Sequence, residues 1–130
     1  FIQDGKCERC HEMGIVRSSN MKSLPKALMI LLKRFNRIDG SEERLDAKVC
    51  PQEELNISYE NGDKKYKLCG VILHHPGREN SIQFGHYTAY TKNNAGQWHH
   101  YNDAICNEIT IEKVTSASAE PYVCFYREDN

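Results

Sequence analysis

Hydrophobic and polar positions divide the chain into stretches of different texture. Residues 1–23 are mostly polar. Residues 24–35, Leu24-Pro25-Lys26-Ala27-Leu28-Met29-Ile30-Leu31-Leu32-Lys33-Arg34-Phe35, then form a near-continuous apolar run. Such a run fits a buried strand or a buried helix, and periodicity does not separate the two. The extended start that Leu24-Pro25 imposes points to a buried strand. Residues 36–65 are polar and charged, with turn signals at Asp39-Gly40 and Asn61-Gly62. They predict a long surface connection carrying one short strand near Leu55-Asn56-Ile57. Beyond residue 65 apolar and polar positions alternate, which predicts strands over Tyr66–His75, Phe84–Thr91 and Gln97–Asp103, and the apolar run Tyr122–Tyr126 reads as a final strand. Asn93-Asn94-Ala95-Gly96 supplies hairpin-turn chemistry, because Asn and Gly tolerate positive φ. Ile105–Val114 fits a short strand or a single helical turn. The expected architecture is one mainly β domain over 1–130, an antiparallel sheet of roughly five to six strands with little helix. Residues 24–130 carry that sheet and residues 1–23 a separate N-terminal segment.

Composition narrows the function classes. The chain has 130 residues, 39% hydrophobic and 27% charged, which suits a folded domain. With 17 Lys+Arg against 18 Asp+Glu the net charge is −1, so a generally basic nucleic-acid binder is not expected. The longest apolar stretch, Ala27–Leu32, falls far short of the roughly 20 residues that span a bilayer, so no membrane is expected either. No basic region followed by an apolar one opens the chain, so no signal peptide is read there. Of the six cysteines only Cys7 and Cys10 form a close pair. Reduced thiols in an intracellular protein, cytoplasmic or nuclear, are the expectation.

The strands over Phe84–Thr91 and Gln97–Asp103 carry the candidate chemistry. One register of their hairpin sets His86 opposite Asp103, and the neighbouring register sets it opposite Asn102. Directly opposed residues share a face with Cβ atoms about 4.5–5.5 Å apart. Either register brings a carboxylate or carboxamide to an imidazole, the base-and-orienter part of a nucleophile–His–orienter triad. Gly85 removes a side chain beside the histidine and admits a close backbone approach. A strand histidine with a polar cross-strand neighbour is the plainer alternative. Six histidines, His99 and His100 among them, offer such pairs by chance.

Gly85-His86-Tyr87-Thr88-Ala89-Tyr90, then Trp98, then Tyr101-Asn102-Asp103, closely resembles the histidine box of the ubiquitin-specific proteases, papain-like cysteine deubiquitinases. Leu24-Pro25-Lys26-Ala27-Leu28 with Leu32-Lys33-Arg34-Phe35 resembles that family's LP…LKRF strand. Cys50-Pro51 with Leu55-Asn56-Ile57-Ser58 resembles its FP…LDLS segment, with Cys where Phe is usual. Tyr66-Lys67-Leu68 through Val71-Ile72-Leu73-His74 resembles the strand before the histidine box, and Tyr122-Val123-Cys124-Phe125-Tyr126 the closing AYVLFY strand. The segments occur in the family's order from about residue 7 to 127.

The resemblance implies the β part of an α+β papain-like fold, the fingers and palm of the catalytic domain. It implies a thiol-dependent ubiquitin C-terminal hydrolase in which His86 is the general base, Asn102 the third triad member and Asp103 a supporting polar neighbour. Gly85 and Tyr87 would line the channel for the ubiquitin tail, and the sheet would carry ubiquitin's globular body. No cofactor is implied for the chemistry.

Departures from the family pattern are equally specific. Nothing in the chain resembles the GNTCYMNS-like cysteine box that supplies the nucleophile. Cys69 and Cys124 lie in apolar strands. Cys106 follows the orienter and does not open a helix, so it is a poor nucleophile. The isolated chain is therefore expected to be inactive, with the nucleophile in an upstream segment or second chain. The alternative is an inactive ubiquitin-binding scaffold. Cys7-Glu8-Arg9-Cys10 matches the second half of the family's zinc ribbon. Structural zinc needs four ligands, and His11 is a conceivable third; two free cysteines are the plainer alternative.

Overall fold

The computed structural model describes residues 2–16, 18–78 and 84–130. Its elements follow chain order as β1 (Ile2–Lys6), β2 (Met13–Val16), β3 (Ala27–Leu31), β4 (Phe35–Ile38), β5 (Ser41–Arg44), β6 (Glu54–Tyr59), β7 (Gly62–Pro76), β8 (Gly85–Lys92), β9 (Trp98–Asn102), β10 (Ile105–Ile109), α1 (Ile111–Thr115) and β11 (Pro121–Glu128). The fold is mainly β and antiparallel, as the alternation predicts. The principal sheet has seven strands rather than five or six. Its order is β10-β9-β8-β7-β11-β3, with β6 also pairing β7.

The 15-residue β7 organises the sheet, because its length lets it pair β6 along one half and β8 along the other while β11 runs down its far side. One face of the sheet is the core: Tyr66, Leu68, Val71 and Leu73 of β7 pack with Tyr90, Trp98, Cys124 and Tyr126. Val114 of the single helical turn α1 closes it. Fully burying an aliphatic side chain of this kind is worth about 1.5–3 kcal/mol. Burial pushes the Tyr126 phenol up to about 12, and its hydroxyl donates to the Gln52 carbonyl at 2.8 Å. Among the described residues no helix is long and apolar enough to cross a membrane.

Three expectations change. The apolar run at 24–35 does form a strand, but not a buried one: β3 pairs only β11 at the sheet edge, and Met29 and Leu31 stand exposed. Residues 36–65 are not a plain connection. They contain the β4–β5 hairpin, turning at Asp39 (φ 48) and Gly40 (φ 81), where both central residues take the positive φ of a type I′ turn. Ile105–Val114 resolves into both alternatives, strand β10 and then the turn of α1.

Two buried cations anchor this hairpin to the sheet. Arg34 Nε donates to the Pro121 carbonyl at 2.6 Å, and its Nη1 to the Leu45 and Ala47 carbonyls at 3.0 and 2.9 Å. Arg44 pairs with Asp46, and its Nη2 donates to the carbonyls of His74 at 3.2 Å and Ala119 at 2.7 Å.

Candidate active site

Strand β8 is held between β7 and β9. On one side His75 pairs with His86, and Pro76 with Gly85. On the other, Ala89 pairs with Tyr101 and Lys92 with Trp98. That second ladder has neither of the two registers read from the turn. The connection is a five-residue loop, 93–97, closed by Asn93 N–H donating to the Gln97 carbonyl at 2.9 Å. The Asn93 Oδ1 accepts from the backbone N–H groups of Ala95 and Gln97 at 3.0 and 2.9 Å, and Gly96 takes φ 83. The side chain of Asn93 thus organises a longer turn than the local Asn/Gly pattern suggests. Continued toward the strand start, the ladder sets Thr88, not His86, opposite Asn102.

His86 and Asn102 nevertheless meet. They are diagonal neighbours on one face, a separation that a long side chain crosses. His86 Nε2 lies 2.7 Å from Asn102 Oδ1. An amide oxygen only accepts, so Nε2 carries the proton and donates, which leaves Nδ1 of the neutral ring as its basic nitrogen. Asp103 is more distant. Its Oδ2 lies 3.9 Å from Nε2, and its side chain is 83% exposed against 46% for His86. Asp103 takes φ 50 at the first position of the two-residue turn between β9 and β10, the sign both primed hairpin turns require there. Its conformation serves the turn, and Asn102 serves the histidine.

Gly85 and Tyr87 lie at the start of the same strand but face the other way from His86. Tyr87 packs its ring on His74 at 4.8 Å and on Tyr122 at 6.3 Å, and Phe35 stands edge-on to both His74 and Tyr122. Burial, then Tyr122, push the Tyr87 phenol up. At Gly85 (φ 146) a Cβ would lie 2.6 Å from His74 Nε2 and 2.6 Å from the His75 carbonyl oxygen. The bare backbone here makes room for an imidazole of the same chain.

That imidazole was not singled out from the sequence. His74 is 0% exposed, and neither ring nitrogen has a hydrogen-bond partner among the described residues. Burial chiefly, then Arg44 and His75, hold it below the ordinary histidine range. The backbone of Phe84 is near enough to favour the imidazolium but is not in hydrogen-bond geometry. His75 was equally unremarkable in the sequence. Its Nε2 lies 2.8 Å from Thr88 Oγ1 and its Nδ1 3.2 Å from Glu120 Oε1. The doublet His74-His75 on a strand was the available signal. Nothing local marked Glu120, which only the return of β11 brings to β7.

Cys7 and Cys10 sit on the connection between β1 and β2. Backbone N–H groups of Cys10 and Arg9, then the Cys10 side chain, hold the Cys7 thiol below its ordinary range. That favours a thiolate, the form that ligates metal. Among the described residues, however, no group of three His, Cys, Asp or Glu is placed to hold an ion. His11, at φ 60, does not complete one. Two thiolates fit one side of a tetrahedral zinc site and do not close it. Cys106 is exposed at the cross-strand position facing Tyr101, away from His86.

A sequence profile described as ubiquitin carboxyl-terminal hydrolase matches residues 1–126. The chain belongs to the ubiquitin carboxyl-terminal hydrolase family. Ubiquitin carboxyl-terminal hydrolase 8 of Arabidopsis thaliana is 33% identical over 128 residues, covering 93% of this chain and 14% of that protein. A solved yeast SAGA deubiquitinating module with a mutant Sgf73 superposes with a TM-score of 0.80 at 28% identity, over 98% of this chain and 29% of that one. A SAGA module bound to monoubiquitin superposes with a TM-score of 0.76 at 27% identity, over the same shares. This member of the family therefore corresponds to less than a third of the length of each of these relatives.

Proposed function

We propose that this chain supplies the base-and-orienter half of a thiol-dependent ubiquitin hydrolase, with His86 as general base and Asn102 as its orienter. The observation that carries the reading is the 2.7 Å bond from His86 Nε2 to Asn102 Oδ1 across two strands of a rigid sheet. It leaves Nδ1 as the basic nitrogen of a side chain that is 46% exposed. A thiol brought to Nδ1 from outside these 130 residues would lose its proton to the ring, and the imidazolium would later protonate the leaving amine. Asn102 holds the tautomer through both steps without exchanging a proton. Asp103 is a secondary polar neighbour. Gly85 and Tyr87, both exposed at the strand start, would meet the substrate tail. Ubiquitin would be the partner, and its body would rest on the sheet. Zinc at Cys7 and Cys10 would need two further ligands and takes no part in the chemistry.

A chimera tests this: the chain replaces the matching segment of the Arabidopsis relative, which then provides the rest of the protein. Cleavage of a ubiquitin C-terminal amide that disappears with His86→Ala is the expected result. A chimera that binds ubiquitin and turns over equally well with His86→Ala would overturn it. The 130-residue chain alone should bind without cleaving.

A further inference from the structure

A second histidine stands beside the candidate base. His75 and His86 are direct cross-strand partners on β7 and β8, on the same face, with ring centroids 6.1 Å apart and planes tilted by 31°. Their fixings differ. Asn102 holds one nitrogen of His86. His75 is engaged at both: Glu120 Oε1 faces Nδ1 at 3.2 Å, and Thr88 Oγ1 lies 2.8 Å from Nε2. A carboxylate accepts only, so the neutral ring carries its proton on Nδ1, and Nε2 accepts from the Thr88 hydroxyl.

Glu120–His75–Thr88 has the connectivity of a hydroxyl–imidazole–carboxylate triad. It is not a second active centre, because Thr88 is only 6% exposed and no substrate reaches its oxygen. A buried hydroxyl on the strand of His86, tied through an imidazole to a carboxylate on another segment, works instead as a brace. Two bonds at opposite ends of a planar ring stop it turning about χ2. The fixed ring then walls one side of the space in which the half-exposed His86 ring would otherwise rotate.

We propose that His75, locked by Glu120 and Thr88, is a positioning residue that confines the His86 ring to the orientation in which Nε2 meets Asn102. The proposal rests on His86 being the base. It adds that the base is held by two partners of different kinds, Asn102 by a hydrogen bond and His75 by a rigid wall. Thr88 couples them, since it bonds His75 from the position that the continued ladder sets opposite Asn102.

NMR on the 130-residue chain tests the positioning without any turnover. The observables are the order of the His86 Cδ2–H bond and the through-space contact from its ring to the Asn102 side chain. In the unaltered chain the ring should be as ordered as the backbone of β8, with a strong contact. His75→Ala should lower the order and weaken the contact severalfold. Glu120→Gln, which keeps the shape and removes the carboxylate, should produce a smaller change in the same direction. Unchanged order and contact in both folded variants would overturn the proposal. If His75→Ala fails to fold, Glu120→Gln decides. If both fail, His75 is a structural brace alone and the positioning role is rejected.

In the chimera, His75→Ala should lower kcat about tenfold with KM unchanged, short of the roughly 10²–10⁴-fold that loss of a general base costs. Full activity with His86→Ala would end the enzyme reading and leave the NMR result standing. An unmoved kcat with His75→Ala beside an inactive His86→Ala would end only the positioning role.

Discussion

His86 and Asn102 are diagonal rather than opposite across the β8–β9 ladder, and the imidazole spans the gap to bond the amide oxygen at 2.7 Å. The diagonal matters chemically. It brings Nε2 to the Asn102 amide oxygen, which leaves Nδ1 as the basic nitrogen of the neutral ring.

The geometry ranks three substitutions in the chimera. His86→Ala should cost roughly 10²–10⁴-fold in kcat, the usual worth of a general base. Asn102→Ala should cost less, because it frees the ring without removing it. Asp103→Ala should cost least, given its 3.9 Å separation and exposed side chain. Steady-state cleavage of a ubiquitin C-terminal amide gives the order, and a larger loss from Asp103 than from Asn102 would contradict the orienter assignment.

Gly85→Ala should destabilise the chain by about 1–3 kcal/mol, the usual range for overpacking. A Cβ there would meet both the His74 ring and the His75 carbonyl oxygen at 2.6 Å. Shrinking the ring in a Gly85→Ala/His74→Ala double variant should not restore stability, because the backbone contact and the positive φ remain. Urea midpoints of the unaltered chain and the two variants check this.

Stability should fall with acidity in a defined window. Burial chiefly holds both His74 and His100 below the ordinary value of 6.5, so each is neutral in the fold and takes up a proton more readily when unfolded. Their contribution is whole above that value and is lost as pH drops below it. Denaturation midpoints at pH 7.5 and pH 5 should differ, and His74→Gln, which cannot charge, should narrow the difference. An unchanged gap would show that His74 plays no part.

Arg34→Ala should be among the most damaging changes away from the site. It strands the carbonyls of Pro121, Leu45 and Ala47, and each buried acceptor left unmet costs about 1–3 kcal/mol. Arg34→Lys should recover little, since an ammonium cannot span three acceptors as a planar guanidinium does. Thermal unfolding of both variants measures this, and near-complete rescue by lysine would show that charge alone matters.

The sequence determined the strands around the candidate site and the family. Alternation at Tyr66–His75, Phe84–Thr91 and Gln97–Asp103 is a local property, and so is the motif run from Gly85 to Asp103. Each survives any packing. That His86 meets the Asn102-Asp103 end of the next strand was also legible, because every short hairpin at that place brings the two strands together. Register was not legible: it turned on how the Asn93 side chain closes a five-residue loop, an interaction that no residue pattern separates from a shorter turn. Whether the apolar run at Ala27–Leu31 is buried depended on its place in the strand order, which makes it an edge. The surroundings of His86 lay furthest from local information. Glu120 meets His75, and Arg44 meets the His74 carbonyl, only because β11 and the β4–β5 hairpin return to the end of β7. Contacts between residues far apart in the chain are set by the closing of the sheet, and only the tertiary structure decided them.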